Sequence, residues 1–164
     1  MANLGLEYAY AQGNDAGDKQ KGIAKMDQHT PYNSVIFFNG LDYAGYDKLY
    51  LANNASNGVP AGNTPGGDQN FANAWSIKGT VSASPTEKLT LIGAVLYAER
   101  NEVLPGVNKE MGWEIDGILS YAIYDNLAYT LGLGYASLGD FYTNSDGSDP
   151  DNPWGMMNRI EVKF

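Results

Sequence analysis

The sequence predicts an all-β protein built as an antiparallel, up-and-down meander, and three observations predict it. Apolar side chains alternate with small or polar ones from Trp75 to the C-terminus, and again ahead of Gly13. The chain carries 12 Tyr and 20 Gly but only 18% charged residues, against about 25% in an ordinary soluble domain. Gly, Asn, Asp and Pro gather between the alternating stretches, where a meander needs its turns.

The elements follow in chain order. Leu4, Leu6, Tyr8 and Tyr10 alternate with Gly5, Glu7, Ala9 and Ala11, a first strand. Weaker alternation over about 32–39 and 46–52 predicts two more. Trp75 to Ala83 and Leu89 to Tyr97 form a hairpin about a turn at Ser84-Pro85-Thr86-Glu87. Trp113 to Ile123 and Leu127 to Tyr135 form another about Asp125-Asn126, and Trp154 to Phe164 closes the chain. The two hairpins are copies: Trp75, Ile77, Gly79, Leu89 and Tyr97 recur 38 positions later as Trp113, Ile115, Gly117, Leu127 and Tyr135. Taken in sequence order, eight strands make a single domain over 1–164.

Connections alternate between short and long, with both termini at the short-turn end. An even strand number with that asymmetry is the layout of a transmembrane β-barrel. Tyr10, Trp75, Tyr97, Trp113, Tyr135 and Trp154 fall near the long-loop end on the apolar parity, with Ile123 and Phe164 at the other end. Tyr and Trp favour a membrane boundary because one ring edge is apolar and the other can hydrogen-bond. From Trp154 to Phe164 is roughly ten steps, or about 25 Å along the barrel axis at a tilt of ~40°, the height of an outer-membrane apolar band. The opposite parity carries Glu7, Lys48, Lys78, Glu114, Asp116, Arg159, Glu161 and Lys163. Four acids and four bases facing a narrow lumen can pair, whereas facing lipid they would be costly. Ala128, Thr130, Gly132, Gly134 and Ala136 leave room beside them.

Composition also excludes. A formal charge of −9 argues against a nucleic-acid partner. The absence of cysteine removes disulfides, thiolate metal sites and a cysteine nucleophile, and a single histidine makes a histidine-rich site untenable. No apolar run approaches the roughly 20 residues of a membrane helix. Mean hydropathy is −0.35, as expected when only half of each strand is apolar. No leader precedes the first strand, so the sequence reads as starting at a mature terminus.

Asn158-Arg159-Ile160-Glu161-Val162-Lys163-Phe164 resembles the terminal signal of Gram-negative outer-membrane barrels, and the hairpins Trp75–Ala98 and Trp113–Ala136 resemble the C-terminal hairpins of bacterial porins. The resemblance implies residence in the bacterial outer membrane and recognition of the last strand by the barrel-assembly machinery. It further implies contact with lipid and lipopolysaccharide, and a porin-like or structural role with passive solute or ion passage at most. A complete eight-stranded barrel is the favoured extent, with the C-terminal half of a 16-stranded porin as the alternative. A soluble lipocalin-like barrel is the second alternative, its aromatic rows lining a ligand cavity.

No enzyme chemistry and no cofactor are expected. His29, with Asp27 and Ser34 near it, is a solvated loop histidine on this reading. The stretch Asn144–Asn152, with Asp146, Asp149 and Asp151, resembles a calcium loop but lacks the closing Glu, so it reads as a polar outer loop rather than a metal site. Glu99, Glu102, Glu110 and Asp140 join those three aspartates in an acidic rim at the long-loop end, which would concentrate cations.

Overall fold

Period-two alternation produces one antiparallel sheet in the computed structural model, which describes residues 2–12, 73–143 and 146–164. Its strands are β1 (Ala2–Ala11), β2 (Ala74–Thr86), β3 (Leu89–Arg100), β4 (Glu110–Tyr124), β5 (Leu127–Leu138) and β6 (Trp154–Val162), with a 3-10 turn at Asp140–Tyr142. They lie side by side in the order β1 to β6. The up-and-down arrangement is as expected. Among the described residues the sheet has six strands, with β1 and β6 at its edges.

Three details differ from expectation. β1 pairs directly with β2, Tyr10 opposite Trp75 and Leu4 opposite Val81, so segments 32–39 and 46–52 do not stand between them as sequence order required. Those two segments lie outside the described residues. The first hairpin turns at Glu87-Lys88 rather than from Ser84, because β2 continues to Thr86 through a register shift after Ala83. Pro85 falls within that shift, where no ladder hydrogen bond is asked of it. A second shift after Ala122 sets Tyr124, not Ile123, opposite Leu127, since a bulge moves every later side chain by one position.

A further shift after Ala98 sets Glu99 opposite Glu110; elsewhere the register holds both faces intact across all six strands. One transverse row reads Glu7, Lys78, Leu96, Glu114, Ala136, and the next reads Gly5, Thr80, Ala94, Asp116, Gly134, Gly155. We call this the inner face, because Ser76, Lys78, Leu96, Ala98, Glu114 and Ala136 on it are buried. The outer face carries Leu6, Val95, Ile115, Leu133, Met156 and Ile160, all exposed. A sheet that folds for water buries most of its large apolar side chains; this one exposes many of them on one face while Lys78, Glu114 and Asp116 are buried on the other.

The internal repeat has a structural meaning. Ile77 opposes Tyr97 and Gly79 opposes Val95 in the first hairpin, as Ile115 opposes Tyr135 and Gly117 opposes Leu133 in the second. Repeated sequence therefore gives repeated register.

At the long-connection end the chain crosses itself closely. The Gly139 N–H donates to the Met111 carbonyl over 2.9 Å, and Gly112 adopts a φ of 107°. A Cβ on Gly112 would lie 2.1 Å from the Ser137 carbonyl oxygen. Gly106 also has positive φ, at 87°, but nothing within 4 Å of its missing Cβ. Gly106→Ala is expected to cost about 1 kcal/mol, from backbone strain alone, and Gly112→Ala at least about 2–3 kcal/mol. Urea unfolding of the two variants, refolded under the same conditions, checks the order.

Candidate functional site

Two features of the sheet have chemical content: the polar inner face, and the aromatic borders of the outer one. Lys78, Glu114 and Asp116 lie on the inner face and are buried. Glu114 sits between Leu96 and Ala136, and Asp116 between the small residues Ala94 and Gly134. Glu7 faces the same way but stays 44% exposed, and its carboxylate meets the Lys78 ammonium at 2.9 Å. Arg159 and Glu161 are partly buried and pair with each other, Arg159 donating to the carboxylate. Lys163 lies just past β6, exposed, 3.5 Å from the other oxygen of Glu161. Lys48 lies outside the described residues. A hollow of about 250 Å³ opens among Glu7, Lys78, Thr80, Ser82, Asp116 and Ile118.

The outer face is layered. Tyr8, Trp75, Tyr97 and Trp113 form a continuous chain of ring contacts near the long-connection end, with centroids 6.3, 5.6 and 4.8 Å apart. Tyr135 stands opposite Trp154 in the same border, and Tyr10 opposite Trp75. The polar ring edges are satisfied. Trp75 Nε1 donates to one Glu99 oxygen over 3.2 Å, the Tyr97 hydroxyl donates to the other over 2.6 Å, and Asn152 donates to the Tyr135 hydroxyl over 3.2 Å. Below this border the rows are mostly aliphatic or glycine: Val81, Gly93, Gly117, Leu133, Met156, then Leu91, Leu119, Leu131, with the exposed Asn158 opposite Leu131. Aromatics return at the short-turn end, with Tyr121 opposite Tyr129, Tyr124 beside them, and Phe164 exposed past β6.

Sequence reasoning missed Arg100, Phe141 and Tyr142. Arg100 continues the inner parity of Leu96 and Ala98, and that periodicity could have found it. Its guanidinium stands over the Phe141 ring, 5.2 Å from the centroid. Phe141 and Tyr142 pack edge to face at 5.1 Å, and they are an aromatic pair in an otherwise polar loop. Together with Ala9, Ala11, Ala74, Leu96, Ala98 and Met111 they form a buried apolar cluster. Asn73 and Asn101 tie the same end together. Asn73 exchanges two 2.9 Å hydrogen bonds with the Glu102 backbone, and Asn101 donates its side-chain amide to the Ala11 carbonyl.

The loop aspartates do not converge. Asp146 accepts from the Ser148 backbone and hydroxyl, at 3.0 and 2.6 Å, and those bonds hold its carboxyl below the usual range. Asp149 accepts from the Thr143 hydroxyl over 2.9 Å. Among the described residues no group of three or more His, Cys, Asp or Glu could hold a metal ion. His29, Asp27 and Ser34 lie outside the described residues. No protein family matches the chain, and neither a curated protein nor a solved structure matches it.

Burial pushes the Tyr142 phenol up to about 12; Arg100 pulls the other way and Glu114 adds to the rise. The packed loop therefore holds its full stability below the ordinary tyrosine value of about 10 and loses it as pH rises towards 12. In an alkaline titration followed by phenolate absorbance, Tyr142→Phe is expected to remove a component that ionises near 12.

Proposed function

We propose that the chain is a bacterial outer-membrane β-barrel protein, porin-like or structural, that wraps an apolar outer wall around a polar interior. The observation that carries the reading is the layered outer face, with aromatic, aliphatic and aromatic rows exposed in order while charged side chains are buried on the reverse. Lipid solvates an aliphatic band and headgroups solvate Tyr and Trp edges, so each layer meets its matching medium in a bilayer. At about 3.3 Å per step and a tilt of ~40°, the 12 residues of β3 rise about 28 Å, enough for the apolar band, and the 9 residues of β6 about 20 Å. A lipocalin-like barrel is disfavoured, because its aromatic rows would line the cavity, and here they face away from the buried side.

Passage through such a barrel is passive and confined to small solutes or ions, because Lys78, Glu114, Asp116 and their neighbours occupy the inner face. The partners are lipid and lipopolysaccharide on the outer face, and the barrel-assembly machinery at the strand ending in Phe164. Eight strands remain the favoured count. A wider wall, as the C-terminal half of a larger 16-stranded porin would give, is the alternative.

Charge scanning tests the membrane reading. Val95→Arg places a cation in the aliphatic layer, and Thr80→Arg places one on the inner face. In a bilayer the first is expected to lose about 2–4 kcal/mol and the second much less. Measured by denaturant titration in vesicles, equal and small losses at both positions would defeat the proposal. So would a monodisperse, folded wild type in plain buffer.

A further inference from the structure

We infer that the ring ladder Tyr8–Trp75–Tyr97–Trp113 is a radical trap, which carries an oxidising equivalent from its exposed rings to Tyr97, with Glu99 as the proton acceptor. The inference goes beyond the barrel reading and stands on ring and hydrogen-bond geometry, so failure of that reading would leave it intact.

The four rings come from four adjacent strands, β1 to β4, and make an unbroken path with centroids 6.3, 5.6 and 4.8 Å apart. Its ends are open to attack, Tyr8 being 65% and Trp113 50% exposed. Trp75 and Tyr97, between them, are half-buried. One carboxylate serves both of these inner rings. Glu99 accepts the Tyr97 hydroxyl on Oε1 and the Trp75 Nε1–H on Oε2. At 2.6 Å the first of these bonds has the length of a charge-assisted O–H···O⁻ bond. A phenol gives up an electron readily only when its proton can leave with it, and here a base is already in contact.

The internal repeat supplies a comparison. Trp113 and Tyr135 occupy the places of Trp75 and Tyr97, 38 positions on, but Ser137 stands where Glu99 would be. The Tyr135 hydroxyl accepts from Asn152 over 3.2 Å instead. The second hairpin thus keeps its border rings with a serine at that place, and Glu99 gives the first hairpin a chemistry the second lacks.

The transfer balances. A diffusible one-electron oxidising radical takes an electron from Trp113 and leaves as its anion. Tyr97 refills the indole across the 4.8 Å contact, and its hydroxyl proton passes to Glu99 Oε1. Trp113 is restored, Tyr97 becomes a neutral phenoxyl radical and Glu99 a carboxylic acid. Tyr97 refills an oxidised Trp75 in the same way from its other side. The direction is set because a phenol that has shed both particles is a weaker oxidant than an indole radical.

The test exposes the folded full chain, in a Trp154→Phe background that removes the indole outside the ladder, to azidyl radicals made by pulse radiolysis. These oxidise indoles first, and indolyl and phenoxyl absorbances are followed in time. The parent protein is expected to convert indolyl to phenoxyl in a fast phase independent of protein concentration. Tyr97→Phe, which keeps the ring, is expected to abolish that phase, and Tyr135→Phe to leave it unchanged. Glu99→Gln is expected to slow it at least ~10-fold. A Glu99 that only positioned the rings would leave no mark on proton motion, so the parent is also expected to react severalfold more slowly in deuterium oxide. That measurement decides the matter should Glu99→Gln fail to fold. A parent without the fast phase, a phase that survives Tyr97→Phe or vanishes with Tyr135→Phe, an undiminished rate in Glu99→Gln, or a rate equal in both solvents would each overturn the proposal.

Discussion

Between β1 and β6 the register keeps the exposed large apolar side chains on one face and the buried charges Lys78, Glu114 and Asp116 on the other, and the chemistry of the molecule depends on that. A strand has two faces by geometry, and a slip of one residue in any pairing would exchange them. The slips that occur are confined to ends: after Ala83, after Ala122, and near Glu110. Bulges at those places change a turn or a mouth without disturbing the middle rows. The result is a sheet whose central part is uniform enough to meet a continuous apolar medium, while its ends carry the irregular chemistry.

The two ends are unlike each other for a physical reason. Short turns at Glu87-Lys88 and Asp125-Asn126 give the chain no surplus with which to build anything. The long connections supply polar side chains that stitch neighbouring strands, Asn73 to Glu102 and Asn101 to Ala11. Two glycines permit a backbone crossing that any side chain would block. Glu99 joins both worlds: its carboxylate satisfies an indole and a phenol on the outer face, and so marks where the aliphatic layer stops. A carboxylate read from the sequence as part of an acidic rim thus acts as a hydrogen-bond terminus for the aromatic border.

Strand identity and facing were legible because they depend on a local, repeating signal. The alternation about Trp113, Ile115, Gly117 and Leu119 survives any local change in turn geometry, and the 38-residue repeat fixed two hairpins in one reading. Burial of Lys78, Glu114 and Asp116 followed from parity in the same way. What escaped depends on contacts between distant parts of the chain. Nothing near Leu4 announces that β1 pairs with β2, because pairing is decided by edge complementarity across a long connection. Nor does the Gly-Asp-Phe-Tyr run after Leu138 announce that Phe141 and Tyr142 are buried, which needs Gly112 and the alanines contributed by three other strands. Ile123 was misplaced by a bulge that no periodicity can foresee.

Among the described residues β1 and β6 are the edges of the sheet, and they constrain what would complete the proposed barrel. In hydrocarbon every backbone N–H and C=O must find a partner within the protein, so in that barrel neither β1 nor β6 would meet lipid with its outer edge free. β1 runs towards the long-connection end and β6 runs away from it, and alternate strands of the sheet reverse direction. Direct pairing of β1 with β6 would therefore be antiparallel. Inserting one strand between them would force a parallel contact on one side, while inserting two restores antiparallel pairing on both. A wall that remains antiparallel throughout thus contains an even number of strands, whatever its final width. That parity places both strand termini at the short-turn end and leaves the mouth to the long connections, where Arg100, Phe141 and Tyr142 are found.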